Sequence, residues 1–422
     1  MELYPYQKEI LENSKDLKRV AYYMEMGTGK TFVASERIKH LPVEEHIVVC
    51  QKSKVQDWID HFVKYYPEFN VINLTKPPTK RKVIHDGGGN ICVGVINYEL
   101  FWRKPHYVPM SSWSLTLDES SLVGNDKAKQ TKFIMKLKPD YLTLLSGTPT
   151  GGKYEKLWTQ LKMLGYPYDK KTYYDLYVIQ KTILTSWGVK MKVPTGRYKN
   201  VERLIKTCGS YNCFFLKTED VLDLPEQNFV PILVQSTPEY NHFVKDRVVK
   251  IDDKEIVGDT TFTKLLGERQ LCGHLNYNKL VSFSDILEST SDRLIVFYNF
   301  KDELAELVKL VEKDKRPISF VNGDKRDLTA YENEDNSVTF IQFAAGARGL
   351  NLQKANKIVY FSPPLSADLY AQSQKRIHRL GQRDNCFYFK MVTKKSVEEK
   401  IYEALERGID YDTKLFSGDG DE

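Results

Sequence analysis

"YYMEMGTGKTF", residues 22–32, decides the fold class. Ahead of its glycines, Arg19–Met24 is an apolar, aromatic run of strand length. Behind them, Thr31–His40 carries its apolar residues on one side, as an amphipathic helix does. Between the two, Met26, Gly27, Thr28, Gly29, Lys30 and Thr31 have the composition of a loop that wraps an anion. Glycine lets the backbone turn tightly enough for several N–H groups to face one phosphate, and the helix that follows adds the positive end of its dipole. In such a loop Lys30 reaches the β- and γ-phosphates and the Thr31 hydroxyl ligates magnesium. The strict form of the pattern has glycine at position 24, where this chain has Met24; a glycine turn that merely precedes a lysine is the plain alternative.

The rhythm of strand and helix continues outward from this loop. Short apolar runs at His46–Cys50, Ile91–Ile96, Leu115–Leu117 and Tyr141–Leu145 alternate with helical patterns. The rhythm resumes at Leu294–Phe300, Ile318–Val321, Val338–Phe343, Lys357–Phe361 and Phe387–Val392. Such alternation means βαβ units and parallel sheets. The expected fold is α/β: two RecA-like parallel-sheet lobes, 1–229 and 230–422, with a helical, basic insertion between them over about 160–225. The acidic tail 417–422 is expected to be disordered.

Chemistry-bearing residues fall at the ends of these strands. "TLDESS" sets Asp118 and Glu119 where an acidic pair can hold magnesium through water and orient an attacking water; an acidic turn capped by Ser120 would read the same way. "LLSGTPT" puts Ser146, Gly147 and Thr148 after the next strand, small and hydroxylated residues that can sense the acidic pair, or simply make a tight turn. The second series ends in "QSQKRIHRLGQ", whose Arg376 and Arg379 are three apart and so share a helical face. Planar guanidinium forks suit a γ-phosphate, although an RxxR helix can also serve surface ion pairs.

The totals bound the rest. The 422 residues are 41% hydrophobic and 28% charged, ordinary for a globular protein of two or three domains. No apolar run reaches the ~18 residues of a membrane span, and the N-terminus has no signal-peptide core. Six scattered cysteines suit a reducing, cytoplasmic compartment; a zinc site from Cys208, Cys213, Cys272 and His274 lacks any CxxC pair. From Lys170 to Lys206 there are nine Lys or Arg against Asp175 and Glu202, a surplus of seven where the whole chain has only +6. Tyr173, Tyr174, Tyr177, Trp187 and Tyr198 are interleaved with these charges. A basic, aromatic insert is a candidate nucleic-acid contact, and equally a solvated face whose tyrosines form a small core.

Taken in order, these stretches resemble the Swi/Snf branch of helicase superfamily two. "LYPYQ" (3–7) resembles that branch's adenine-reading motif, with Gln7 as the reader, and "EMGTGKT" (25–31) its first motif, which also lacks the early glycine. "VVCQKSKVQDW" (48–58) resembles the motif that touches the DNA backbone, which places Lys52 and Lys54 among the implied contacts. "LDESSLVGNDKAKQTK" (117–132), "LSGTPTGGKYEKLW" (145–158) and "FFLKTEDVLDLP" (214–225) are similar to later motifs of the first lobe and the stretch that follows it. "RQLCGH" (269–274) and "LIVFYNF" (294–300) resemble the entry to the second lobe. "GARGLNLQKANKIVYF" (346–361) and "QSQKRIHRLGQ" (372–382) resemble its last two motifs, and bring Gly349 and Asn351 into the nucleotide set.

The resemblance implies ATP-driven tracking along DNA, a duplex rather than a single strand, by a monomer without membrane attachment. ATP and Mg2+ are the implied cofactors. Lys30 and Thr31 would take phosphate and metal, Asp118 the metal through water, Glu119 the attacking water, and Arg376 and Arg379 the charge developing on the γ-phosphate. Lys190, Lys192, Arg197 and Lys199 of the insert would add DNA contacts. The sequence departs from the branch at Gln51, where proline is usual, and at Leu216 and Lys217, where an arginine pair is common. Ser120 and Ser121 replace Ala-His, and "SPPLS" (362–366) lacks a tryptophan. No bromodomain, chromodomain, nuclease or zinc finger is evident, so a bare motor is expected. Two rival readings are a strand-separating DNA or RNA helicase, whose wedge only the insert could supply, and a binding module with a dead ATPase core.

Overall fold

The computed structural model describes residues 2–76, 91–184, 189–221, 224–251, 254–346 and 350–417. The chain divides into two compact units, Met1–Leu222 and Asp223–Glu422, each with its own seven-stranded sheet.

The first sheet contains β1 (Arg19–Met24), β2 (Glu45–Cys50), β3 (Asn70–Asn73), β4 (Cys92–Asn97), β5 (Trp113–Asp118), β6 (Tyr141–Leu145) and β9 (Cys213–Leu216). They lie in the order β3-β4-β2-β5-β6-β1-β9, and every neighbouring pair is parallel. Both faces are covered, which is why these strands read as continuous apolar runs rather than alternating ones. In β1, Val20, Tyr22 and Met24 pack with Val33, Ile38 and Phe62 on one face, while Ala21 and Tyr23 join Leu115, Leu144 and Leu161 on the other.

The second sheet repeats this plan. It contains β10 (Gln227–Val234), β13 (Leu294–Tyr298), β14 (Ile318–Val321), β15 (Arg326–Asp327), β16 (Val338–Gln342), β17 (Lys357–Tyr360) and β18 (Cys386–Thr393), in the order β10-β18-β17-β13-β16-β14-β15. Only the β14–β15 pair at its edge is antiparallel. The faces again divide by parity: Leu294, Val296 and Tyr298 point to one core, Ile295 and Phe297 to the other. β13 stops two residues before its expected end at Phe300. The Glu303 carboxylate accepts from Asn299 N at 2.9 Å and Phe300 N at 3.1 Å, and so starts the helix Lys301–Lys313.

The expected boundary after residue 229 would cut β10, all eight of whose residues pair with β18. The insertion is also narrower than 160–225, and only part of it is helical. Leu157–Leu164 is a core helix, and β9 completes the first sheet. Helices Lys170–Tyr177 and Val201–Ser210 flank an antiparallel hairpin of β7 (Val178–Leu184) and β8 (Lys190–Tyr198). The β-branched residues of the hairpin, with Pro194 and Gly196 in β8, favour strand over helix. A second hairpin, β11 (Val248–Ile251) and β12 (Lys254–Val257), belongs to the second unit. Tyr173 and Tyr177 are buried in the first unit's core and Trp187 lies outside the described residues, as do 418–422 of the tail. All six cysteines are buried. No helix among the described residues is long and apolar enough to cross a membrane.

Candidate active site

Four strands of the first sheet end side by side: β2, β5, β6 and β1. A parallel sheet directs all its C-terminal ends to one edge, and ligands bind there in open α/β sheets. The order therefore sets the Met26–Thr31 loop after β1, Ser146–Thr148 after β6, and Asp118–Glu119 at the end of β5 along one edge.

The loop after β1 has the conformation its glycines anticipate. Gly27 has φ +91° and Gly29 φ +81°, both left-handed, and Gly29 caps the helix Lys30–His40. A Cβ on Gly29 would stand 2.2 Å from the Gln7 amide nitrogen, so a larger residue would displace the Gln7 side chain as well as strain a left-handed backbone. The Lys30 ammonium donates to the Met24 and Glu25 carbonyls at 2.8 and 3.1 Å, folded back over its own loop. Gly147 lies against it: a Cβ there would be 3.4 Å from Lys30 Nζ and 3.3 Å from Met26 Cγ. The loop after β6 and the phosphate-type loop are thus in direct apposition.

Gln7 braces this loop from outside. Its amide donates to the Thr28 carbonyl at 3.0 Å and its oxygen accepts from Tyr4 N at 3.0 Å, while Tyr6 OH donates to the same carbonyl at 3.1 Å. On the other side Thr218 donates from its hydroxyl to the Met26 carbonyl and from its N–H to Glu25.

The acidic pair is held from two directions. Asp118 Oδ2 accepts from the indole of Trp58 at 2.9 Å and Oδ1 from Glu119 N at 3.0 Å; Tyr98 OH donates to the Asp118 carbonyl. Glu119 has φ +52°, a left-handed conformation that costs a non-glycine residue about 1–2 kcal/mol. Such strain persists only where the surroundings over-determine it, and it turns the chain abruptly from β5 into the short turn Ser120–Val123.

Gln160 lies at the centre of the buried polar network behind the pair. Its side-chain oxygen accepts from Ser120 Oγ at 2.8 Å and Tyr23 OH at 3.0 Å, and its amide donates to the Pro149 carbonyl at 2.8 Å and Lys156 O at 3.3 Å. One fully buried amide thus joins the acidic turn to the loop after β6. Sequence reading missed Gln160 and Trp58. The available signals were a glutamine on the apolar face of "LWTQLKML" and a tryptophan inside a stretch otherwise read for its lysines.

In the second unit the shared helical face expected of Arg376 and Arg379 does not form. The helix Ala367–Gln374 ends before them. Arg376 Nε takes the Gln372 carbonyl that its own backbone N–H would have used, and Leu352 N takes the Arg376 carbonyl. The two arginines nonetheless converge: Arg376 Nη1 donates to Leu350 O at 2.9 Å, and Arg379 Nη1 to Leu350 O at 3.4 Å and to the Asn351 side chain. Arg376 is 1% exposed, whereas Arg379 is only half-buried. Asn351 is exposed; Gly349 lies outside the described residues.

Among the lysines assigned to DNA, Lys52 is exposed and Lys54 pairs with Asp57 at 2.9 Å. Lys190, Lys192, Arg197 and Lys199 are all exposed on β8 and just after it.

Residues 277–381 match the helicase conserved C-terminal domain. Similar proteins include TATA-binding protein-associated factor mot1 of Aspergillus fumigatus, 25% identical over 97% of this chain and 26% of its own length. The human SWI/SNF-related matrix-associated actin-dependent regulator of chromatin subfamily A member 1 is 24% identical over 90% of this chain and 40% of its own length. The chain thus spans less than half the length of these relatives. A solved Sulfolobus solfataricus SWI2/SNF2 ATPase core in complex with dsDNA aligns with all of this chain and 94% of that one, at 20% identity and a TM-score of 0.45. Residues 15–277, more than half of the chain, match the SNF2-related domain, and the chain belongs to that family.

Proposed function

We propose that this chain is an ATP-driven motor that acts on DNA, tracking along the duplex as a monomer in a reducing, cytoplasmic setting. The observation that carries the reading is the single sheet edge that lines up the Lys30 loop, the Ser146–Thr148 turn and the Asp118–Glu119 pair. In this reading Lys30 leaves the Met24 and Glu25 carbonyls for the β- and γ-phosphates, and the N–H groups of Gly27–Thr31 cradle them. Gln7 and Tyr6 hold the loop's shape, and adenine reading falls to the same N-terminal segment.

The residues also fit magnesium. Each Asp118 oxygen accepts one hydrogen bond and retains a lone pair. A hard cation that keeps most of its waters needs only one or two such oxygens, here Asp118 and the Thr31 hydroxyl, besides phosphate. When bound, magnesium neutralises charge between the β- and γ-phosphates. Glu119, turned out of the strand by its left-handed backbone, orients the attacking water. Arg376 and Arg379 supply the cations for the γ-phosphate; the half-buried Arg379 is the better placed to reach a ligand, and Arg376 holds the turn. Lys52, Lys54 and the cations of β8 grip DNA phosphates, a sequence-tolerant and salt-sensitive attachment.

The test is ATP hydrolysis measured without nucleic acid and with single-stranded DNA, duplex DNA and RNA. Stimulation chiefly by duplex DNA is expected. Stimulation by RNA alone, or turnover indifferent to every nucleic acid, would refute the reading.

A further inference from the structure

The helix Val55–Tyr65 runs between two parts of the first unit: the lysines offered to DNA and the residues offered to magnesium. It begins where β2 ends. Cys50 closes the strand, Lys52–Lys54 make one tight turn, and Lys54 caps the helix. Lys54 N donates back to the Gln51 carbonyl at 2.9 Å, so the turn runs directly into the helix.

Two side chains further along the helix reach the nucleotide side. Trp58 stands four residues after Lys54, and so on the same face one turn further in. It is buried, and its indole N–H donates to Asp118 Oδ2 at 2.9 Å. His61 stands three residues after Trp58, and its Nε2 lies 3.0 Å from Ser35 Oγ. Ser35 Oγ donates its hydrogen to the Thr31 carbonyl at 2.8 Å, so it accepts from His61, whose ring proton is then on Nε2. The imidazole also packs edge-on against Phe32, with centroids 4.6 Å apart, and Tyr66 OH donates to Glu36 at 2.9 Å.

The helix is therefore tied to Asp118 on one side and to the first two turns of the helix Lys30–His40 on the other. Those two elements carry the Asp118 carboxylate and the Thr31 hydroxyl. Packing alone does not require either polar bond. Trp58 already has the Phe62 ring beside it, centroids 5.4 Å apart, and a phenylalanine would fill much of the space of either side chain. What the indole and imidazole N–H groups add is direction.

We propose that the helix Val55–Tyr65 is the line by which DNA held at Lys52 and Lys54 is felt at the magnesium ligands, with Trp58 and His61 as positioning residues. The proposal rests on the reading of the chain as a DNA motor. Lys54 pairs with Asp57, in the first turn of the helix, at 2.9 Å. A DNA phosphate that draws Lys54 away from Asp57 pulls on the turn Lys52–Lys54 and shifts the helix behind it. Trp58 carries Asp118 Oδ2 with that shift, and His61 carries Thr31 through Ser35. The two ligands move together, because both bonds leave one helix within a single turn.

The test reads affinity rather than turnover. A mant-labelled, non-hydrolysable ATP analogue is titrated into the full chain with magnesium, alone and with saturating duplex DNA. In the wild type, duplex is expected to tighten nucleotide binding by more than about tenfold, and nucleotide to tighten duplex binding by the same factor. Trp58→Phe is expected to cut that factor about tenfold, since its lost bond is to a carboxylate. His61→Phe is expected to cut it about fivefold, since its lost bond is neutral. Duplex affinity without nucleotide should stay at the wild-type value in both, because Trp58 is buried and His61 stands two turns from Lys54. With EDTA in place of magnesium, all three proteins should share one factor. Thermal unfolding without nucleotide shows that each variant is folded; should Trp58→Phe not fold, His61→Phe carries the test.

Variants that keep the wild-type factor overturn the relay. So does a factor that falls equally with and without magnesium, which is what a merely loosened core would give. A wild type whose turnover rises on duplex while its nucleotide affinity does not also overturns it, and the motor reading then survives alone. A wild type that ignores duplex in both binding and turnover overturns both.

Discussion

Replacing Gln160 by leucine keeps the volume of the side chain and removes the four hydrogen bonds that side chain makes. Ser120 Oγ and Tyr23 OH lose their acceptor and the Pro149 carbonyl loses its donor, while Lys156 O gives up only a long contact at 3.3 Å. Ser120 is fully buried and Tyr23 nearly so. A buried polar group left unpaired costs about 1–3 kcal/mol, so two or three of them amount to about 3–5 kcal/mol in the first unit. At a urea slope of about 2 kcal/mol per M the midpoint of that unit should fall by about 2 M. Ser120→Ala removes a single donor and leaves Tyr23 on the Gln160 oxygen, so it should cost about 1 kcal/mol. The two changes share a bond and should couple by about 0.5–3 kcal/mol in a double-mutant cycle. Urea unfolding followed by tryptophan fluorescence measures all four proteins. A Gln160→Leu midpoint within 0.3 M of the wild type (about 0.6 kcal/mol at that slope) would show that this amide is not the tie between the acidic turn and the loop after β6.

Lys30→Ala should abolish ATP turnover while leaving thermal unfolding without nucleotide near the wild type, because its ammonium donates to the Met24 and Glu25 carbonyls of its own loop and packs into no core; near-normal turnover would remove it from the phosphate site. Arg379→Ala should cut DNA-stimulated turnover with little change in unfolding. Arg376→Ala should do both, since its buried guanidinium ties Gln372 O to Leu350 O; equal melting curves for the two would refute that distinction. His46 is buried, and desolvation lowers its pKa from 6.5 to about 4. The unfolded chain therefore binds the extra proton first. Stability is full above pH ~6.5 and falls as pH drops towards 4, by up to about 3 kcal/mol. His46→Leu should lose that part of the pH dependence in unfolding measured at pH 7 and pH 4.5.

The fold was legible wherever burial on both sheet faces forced continuous apolar runs: β1, β6 and β14 have the expected ends to the residue. Strand ends elsewhere shifted by a residue or two because side chains decide them, as Glu303 does after β13. The phosphate-type loop was legible because it is local, a few glycines and a lysine in one turn. Trp58 and Gln160 were not, because each acts on a residue at least 40 positions away, and an out-of-place side chain in the sequence does not say which distant partner it bonds. The insert misled in a different way. Its tyrosines and its cations are neighbours in sequence, but Tyr173 and Tyr177 pack inward while the cations of β8 stay in water.

The root of the β7–β8 hairpin has a mechanical meaning. Tyr198 is anchored on Glu155, seven residues after Thr148, in the turn that leads away from the loop apposed to Lys30. A strand of about 24 Å pivoting at one end is a lever: a tilt of about ten degrees at Tyr198 sweeps Leu184 through about 4 Å, close to the ~3.4 Å rise of a base pair. Under the proposed function, a tilt at Tyr198 of that size would carry to Leu184, at that radius, as a displacement comparable to one rung of a duplex.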